Sequence, residues 1–240
     1  MQELIHDVKH FYQPTNASCG HTALAILLSH YGETTVPEDI INDCPVNLDE
    51  KGKELGSVSQ ELATLLLQKD FNVTLTTFDF QVIDLSWSNL DQSQILARLE
   101  AIKDIRNVKS LGKIESKRYA VSYIEFLKAG GELKIQPVPR SEMLRNMLKN
   151  GPIFLNVSSH PLYNEGRLSY GNLREATPDD TNGYITTHSV VLYGCDSNGN
   201  FLLADPWDGL TVVEPEVLLS AITAAQIECD NMCFQITKNR

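Results

Sequence analysis

An α+β fold, helices first and an antiparallel sheet after them, is what the order of patterns along this chain predicts. Between Cys19 and Lys128, apolar residues recur mostly at helical spacing, with one β-rich interruption. From Ile153 onward, short apolar and β-branched runs alternate with turn-forming residues. No repeat, low-complexity tract or long Pro/Gly linker divides the 240 residues, so one domain over residues 1–240 is expected.

The first helix is expected from Cys19 to Tyr31. Leu24, Leu27, Leu28 and Tyr31 share one face, Ser18 suits the N-cap, and Gly32 suits the position after the C-cap. Ser57-Val58-Ser59-Gln60 has the form of a capping box opening a second helix to Lys69, with Leu62, Leu65 and Leu66 inward. Phe71–Thr77 alternates and is β-rich, which predicts a strand. Two further helices follow. One runs from Asp91 to Arg106 on Ile95, Leu96, Leu99 and Ile102. The other runs from Lys117 to Lys128 on Ala120, Tyr123, Ile124 and Leu127, and stops at Gly130-Gly131.

A short strand at Leu133–Gln136 and a short helix at Ser141–Asn150, ended by Gly151-Pro152, lead into the strand-rich half. Strands are expected at Ile153–Val157, His188–Gly194, Phe201–Ala204, Leu210–Val213 and Met232–Ile236, with a helix at Glu216–Ile227. Asp196-Ser197-Asn198-Gly199 is a turn between two of these strands. Tyr163–Tyr184, rich in Gly, Asn, Asp and Thr, is expected to be a long loop.

The formal net charge of −11 argues against nucleic acid and anionic membrane surfaces as partners, because the long-range field repels both. The first residues lack the basic and apolar regions of a signal peptide, and no apolar run approaches the ~20 residues of a membrane helix. A cytoplasmic protein is therefore expected. Five cysteines, an odd number without a dense framework, fit reduced thiols. The three glycosylation-like triplets at Asn16, Asn72 and Asn156 are then chance matches. No cofactor is implied. Cys229 and Cys233 lack the histidines that would make them a metal pair, and Asp196–Asn200 lacks the sixth-position glycine and closing glutamate of a calcium loop.

The chemistry concentrates at four residues. Cys19 opens a helix, where backbone N–H groups and the positive end of the macrodipole favour a thiolate. Gly20 beside it would let a substrate backbone approach. Gln13, six residues before Cys19, carries an amide suited to steadying an oxyanion. His188 opens an apolar strand, and Asp205 ends the next strand in Ala204-Asp205-Pro206-Trp207. His188 stands eight residues before the Asp196–Gly199 turn and Asp205 six after it, so a hairpin would bring imidazole and carboxylate together. A lone buried cysteine, a core histidine or an Asp-Pro turn is ordinary; the four in this order are much more specific. His21 is read as packing or surface, His160 as a secondary candidate for the cleft border, and Trp207 as either a cleft wall or a core residue.

Gln13 through Leu28, His188 through Gly194 and Asp205-Pro206-Trp207 resemble the active-site segments of papain-like cysteine peptidases. The bacteriocin leader-processing branch and its stand-alone relatives are the most similar. Leu148 through Val157 resembles the Gly-Pro-then-apolar-strand element that precedes the family's histidine. Ser18 stands where the leader-processing branch usually carries Asp, and residues 39–140 have no counterpart in the resemblance.

The resemblance implies a papain-like fold, with the nucleophile helix packed on a sheet bearing His188 and Asp205. It implies a cysteine-dependent hydrolase that cleaves a peptide or amide bond through a thioester. Cys19 would be the nucleophile, paired with protonated His188. Asp205 would orient the imidazole, and Gln13 with the Cys19 N–H would bind the oxyanion. Two alternatives remain open: an acyltransferase or transglutaminase-like enzyme in which an amine replaces water, and a catalytically silent binding module on the same scaffold.

Overall fold

A computed structural model of the protein describes residues 3–48, 52, 54–105, 112–170, 176–228 and 231–239. In chain order the elements begin with β1 (Leu4–Ile5), α1 (Cys19–His30), α2 (Pro37–Asp43), β2 (Asn47–Leu48), β3 (Glu54–Gly56), α3 (Ser59–Gln68) and β4 (Phe71–Thr77). A 3-10 turn at Leu85–Asn89 leads to α4 (Gln92–Ile102), α5 (Gly112–Lys128), β5 (Glu132–Ile135) and α6 (Ser141–Leu148). Then come β6 (Ile153–Ser158), α7 (Ser159–Tyr163), β7 (Leu168–Tyr170), β8 (Ala176–Pro178), β9 (Thr187–Cys195), β10 (Phe201–Asp205) and β11 (Gly209–Val213). The chain closes with α8 (Pro215–Ala224), a 3-10 turn at Ala225–Glu228, and β12 (Met232–Lys238).

One eight-stranded sheet organises these elements in the order β11-β10-β9-β6-β12-β4-β5, with β1 also paired to β9. Its pairs are antiparallel except β4 with β5, which are parallel. A parallel pair needs a long crossover, and α4 and α5 supply it. The fold is thus α+β, with an antiparallel sheet at its centre, as the order of patterns predicts.

Side chains alternate across the strands, so each strand serves two cores. Phe154, Val191, Ala204 and Phe234 join α1, α3, α4 and α5 in one apolar cluster. Ile153, Leu155, Val157, Val190, Leu192, Leu203 and Cys233 join α6 and α8 in the other. Because helices cover both faces, every residue of β6 is buried. Phe154 and Phe234 stack across β6 and β12 with centroids 4.3 Å apart and planes 10° from parallel.

Helix α1 differs from its expected single stripe: Gly20 through Leu28 are all buried. Strand β9 covers one side, while α2 and α3 close the others. Helix α2, built on Pro37 at its first position, and the β2–β3 pair lie where no element was anticipated. The capping box expected at Ser57 does not form. Helix α3 begins at Ser59 behind Val58, without a side-chain cap. Asp91, by contrast, caps α4 reciprocally with Gln94. The loop expected over Tyr163–Tyr184 contains the β7–β8 pair.

The turn between β9 and β10 fixes the register that matters for the site. Gly199 takes φ +93°, and the Asp196 carboxylate accepts from the Asn200 backbone N–H at 2.8 Å and its side-chain N–H at 2.9 Å. A register shift between Leu202 and Leu203 then carries β10 toward Asp205. Among the described residues, no helix is long and apolar enough to cross a membrane, and no group of three or more metal-ligating side chains is present. Cys229 lies outside the described residues.

Replacing Phe154 by Ala removes a fully buried ring shared by stacked partners. The variant is expected to lose about 3–5 kcal/mol of unfolding free energy, measured by urea denaturation.

Candidate active site

The second residue of β9 and the last residue of β10 fall at the same end of the sheet, because the two strands run antiparallel. His188 and Asp205 occupy these positions, and the His188 Nε2–H donates to Asp205 Oδ1 at 2.8 Å. An ionised carboxylate only accepts, so the proton on this bond belongs to the ring. The other ring nitrogen, Nδ1, is left for Cys19, with which His188 also hydrogen-bonds. Sulfur, imidazole and carboxylate thus meet although His188 and Asp205 are far from Cys19 in sequence.

Cys19 is half-buried at the first residue of α1. The first turn carries no acidic side chain to oppose a negative sulfur. Burial alone would raise its pKa. The hydrogen bond and charge of His188, with further hydrogen bonds from Ser189, outweigh burial and bring it below the ordinary thiol value. Cys44 and Cys233 go the other way: burial pushes Cys44 up, and it pushes Cys233 to about 12.

Burial would likewise lower the pKa of His188. Hydrogen bonds to Asp205 and Cys19, and the charges of both, raise it instead to about 10. Asp205 has no exposed surface. Desolvation opposes its charge, yet its carboxyl is held below the usual carboxylate range by His188, Tyr163 and the Trp207 N–H. Oδ1 accepts from the Trp207 N–H at 2.8 Å and the Asp208 N–H at 3.3 Å, and Oδ2 accepts from the Tyr163 hydroxyl at 2.6 Å. Burial, first, and the neighbouring carboxylate keep the Tyr163 hydroxyl protonated.

The segment before α1 is tied to the same end of the sheet. His10 Nε2–H donates to the Asp205 carbonyl at 2.7 Å, and the Gln13 N–H donates to the Pro206 carbonyl at 2.9 Å. Further back, the His6 N–H reaches the Tyr193 carbonyl at 2.9 Å. Gln13 is therefore anchored through its backbone. Its Nε2 donates to the Thr15 carbonyl at 2.8 Å, and its Oε1 is buried without a partner among the described residues. The amide is not hydrogen-bonded to Cys19, so the fourth expected member stands near the set with its head turned to its own loop.

Several expectations change on the structure. Ser18 holds the N-cap position of α1, but its hydroxyl donates to the Thr15 carbonyl at 3.0 Å instead of capping the helix. Gly20 answers to packing: a Cβ there would lie 2.4 Å from Ser57 Oγ and 3.0 Å from Leu62 Cδ1. His21 is a core residue, its Nε2–H donating to the Cys44 carbonyl at 2.7 Å. Trp207 is 52% exposed, which removes a core role. His160 sits half-buried in α7, and it is Tyr163, at the end of that helix, that reaches Asp205. Tyr163 and Ser189 lay outside the sequence reading. Tyr163 falls in a polar stretch with no periodic pattern, and Ser189 reads as one more strand residue.

No family model matches this chain, and no curated protein matches it. Among solved structures it is similar to one described as a double glycine motif protease from an AMS/PCAT transporter in complex with the leader peptide. That similarity has 11% identity and a TM-score of 0.43, covering 100% of this chain and 99% of the other. What this chain can do chemically therefore follows from its own side chains.

Changing Asp205 to Asn removes the charge that holds the imidazolium. The His188 titration midpoint, followed by NMR of the ring protons, is expected to fall from about 10 to near or below the ordinary 6.5.

Proposed function

We propose that the protein is a cysteine-dependent hydrolase acting on a peptide or amide bond, with Cys19 as nucleophile. The observation that carries this reading is the continuous hydrogen-bonded line from Cys19 through His188 to the fully buried Asp205. Thiol and imidazole shift toward each other's charge, so the resting state is a thiolate beside an imidazolium.

The thiolate attacks the substrate carbonyl, and the negative charge moves to its oxygen. The Cys19 backbone N–H lies at the free end of α1, and Gln13 keeps one amide N–H beyond the one given to Thr15. These two donors bind the oxyanion, each worth about 3 kcal/mol in comparable enzymes. The amide turns from Thr15 toward the carbonyl as the substrate arrives. The imidazolium then gives its Nδ1 proton to the leaving amine, and a thioester to Cys19 remains. Neutral His188 next takes a proton from water, whose oxygen attacks the thioester. The acid product leaves, and the thiolate–imidazolium pair is restored. Asp205 stays ionised throughout and keeps Nε2–H pointed at itself, which fixes Nδ1 toward the sulfur.

The pH dependence has a definite sign. Hydrolysis rises as pH climbs through the lowered pKa of Cys19, then falls as pH passes about 10, where His188 loses the proton the leaving group needs. Near pH 6, iodoacetamide is expected to modify Cys19 far faster than Cys44 or Cys233; equal labelling of all the cysteines would end the nucleophile assignment. With a cleavable peptide library, Cys19→Ala is expected to lower kcat/KM by ~10^3 or more. Mass spectrometry with a primary amine added should show the free acid. An amide of the added amine would make the protein a transferase instead.

A further inference from the structure

Asn156 is an expensive residue for its place. It stands in the middle of β6, between Leu155 and Val157, and has no exposed surface. Burying a polar amide in an apolar layer is unfavourable unless its groups are hydrogen-bonded. Both ends of this one are. Its Nδ2 donates to Ser59 Oγ at 2.6 Å, and its Oδ1 accepts from Ser189 Oγ at 3.0 Å. Asn156 and Ser189 are direct partners across β6 and β9, so their side chains leave the same face of the sheet, toward α1 and α3.

That face leads to the nucleophile. Ser189 follows His188 in β9, and strand alternation sends the two side chains to opposite faces. The Ser189 backbone N–H hydrogen-bonds Cys19, and its hydroxyl, which donates to Asn156, stands within reach of the sulfur. Its Oγ also lies 3.6 Å from where a Cβ on Gly20 would stand, which puts it beside the first turn of α1. A buried polar chain therefore runs from Ser59, the first residue of α3, through Asn156 and Ser189 to the sulfur at the start of α1.

The direction of that chain matters. Ser189 has one hydroxyl proton, and in the arrangement observed it goes to Asn156. A thiolate at Cys19 calls for the opposite polarity. An amide's oxygen and nitrogen have nearly the same shape, so the same pocket holds the Asn156 amide in either orientation. Inverted, Nδ2–H donates to Ser189 Oγ, Oδ1 accepts from the Ser59 hydroxyl, and the Ser189 proton is released to the sulfur. No bond is made or broken beyond hydrogen bonds, and Asn156 keeps Ser59 and Ser189 as its partners in both directions.

We propose that Ser189 and Asn156 are positioning residues for the nucleophile: their reversible hydrogen-bond chain delivers the Ser189 hydroxyl to the Cys19 thiolate and withdraws it when the sulfur is acylated. A thioester sulfur is a poor acceptor, so the hydroxyl returns to Asn156 while the acyl group is in place. When the thiolate leaves, the chain inverts again and favours departure. The role deepens the peptidase reading and rests on it.

The test is the rate of Cys19 alkylation by iodoacetamide as a function of pH, read by mass spectrometry on the full chain. Ser189→Ala is expected to move the acidic limb of the profile up by about one pH unit, a roughly tenfold slower reaction at a fixed pH on that limb, because one charge-assisted hydrogen bond is lost. Asn156→Leu, which suits an apolar strand and keeps the hydroxyl, is expected to move it up by a smaller step, since nothing behind Ser189 then orients it. Ser189→Thr, which restores a hydroxyl, is expected to return the limb toward that of the parent. Far-UV circular dichroism establishes that each variant is folded. A parent-like limb in folded Ser189→Ala, or in folded Asn156→Leu should the first not fold, would overturn the proposal while leaving the nucleophile intact. If Cys19 of the parent protein shows no preferential alkylation, it is the peptidase reading that fails.

Discussion

A carboxylate with no exposed surface holds this end of the molecule together. An unpaired buried charge would cost several kcal/mol, so Asp205 can exist here only with its lone pairs filled. Four donors come from three places: the imidazole of β9, the hydroxyl at the end of α7, and two backbone N–H groups of the turn after β10. The backbone carbonyl of the same residue takes a fifth bond, from His10. Segments far apart in sequence are thereby required to meet at one point. Loss of any donor leaves part of that buried charge uncompensated, and loss of the imidazolium leaves the most.

The pattern of charges at the proposed site follows from this anchor. Burial works against ionising Cys19, His188 and Asp205 alike. Only their alternation of sign, minus, plus, minus, makes the charged set self-consistent, with the α1 N-terminus on the sulfur side. Cys44 and Cys233 have no cation beside them that outweighs burial, and their thiols are pushed up instead. The distinction among cysteines is thus one of neighbours and not of burial.

Much of the frame is legible from local signals. Strand β4 coincides with the predicted Phe71–Thr77 because alternation and β-branching agree there. The Asp196–Gly199 turn, read from its residues, aligns His188 with Asp205. What escapes is set by tertiary contact. Helix α2 is short and its apolar side is narrow, so its periodicity is too weak to register. The Ser57 box is locally plausible, but Ser57 Oγ faces the backbone of α1 at Gly20 and the helix starts two residues later. Tyr163 carries no local mark, and Asn156 only a weak one. One lies in a polar connection, and the other is a lone polar residue in an apolar run, legible only as an anomaly whose partners are distant.

The path of the chain before α1 has a consequence for biosynthesis. His6, His10 and Gln13 are bonded to residues of β9, β10 and the turn beyond, and Cys19 depends on His188 for its partner. A ribosome releases the sulfur early and the imidazole late. Until β9 follows, the thiol lacks the imidazole that lowers its pKa in the folded protein. In the proposed peptidase, the nascent polypeptide therefore gains its thiolate–imidazolium pair only once β9 has been made and has folded against α1.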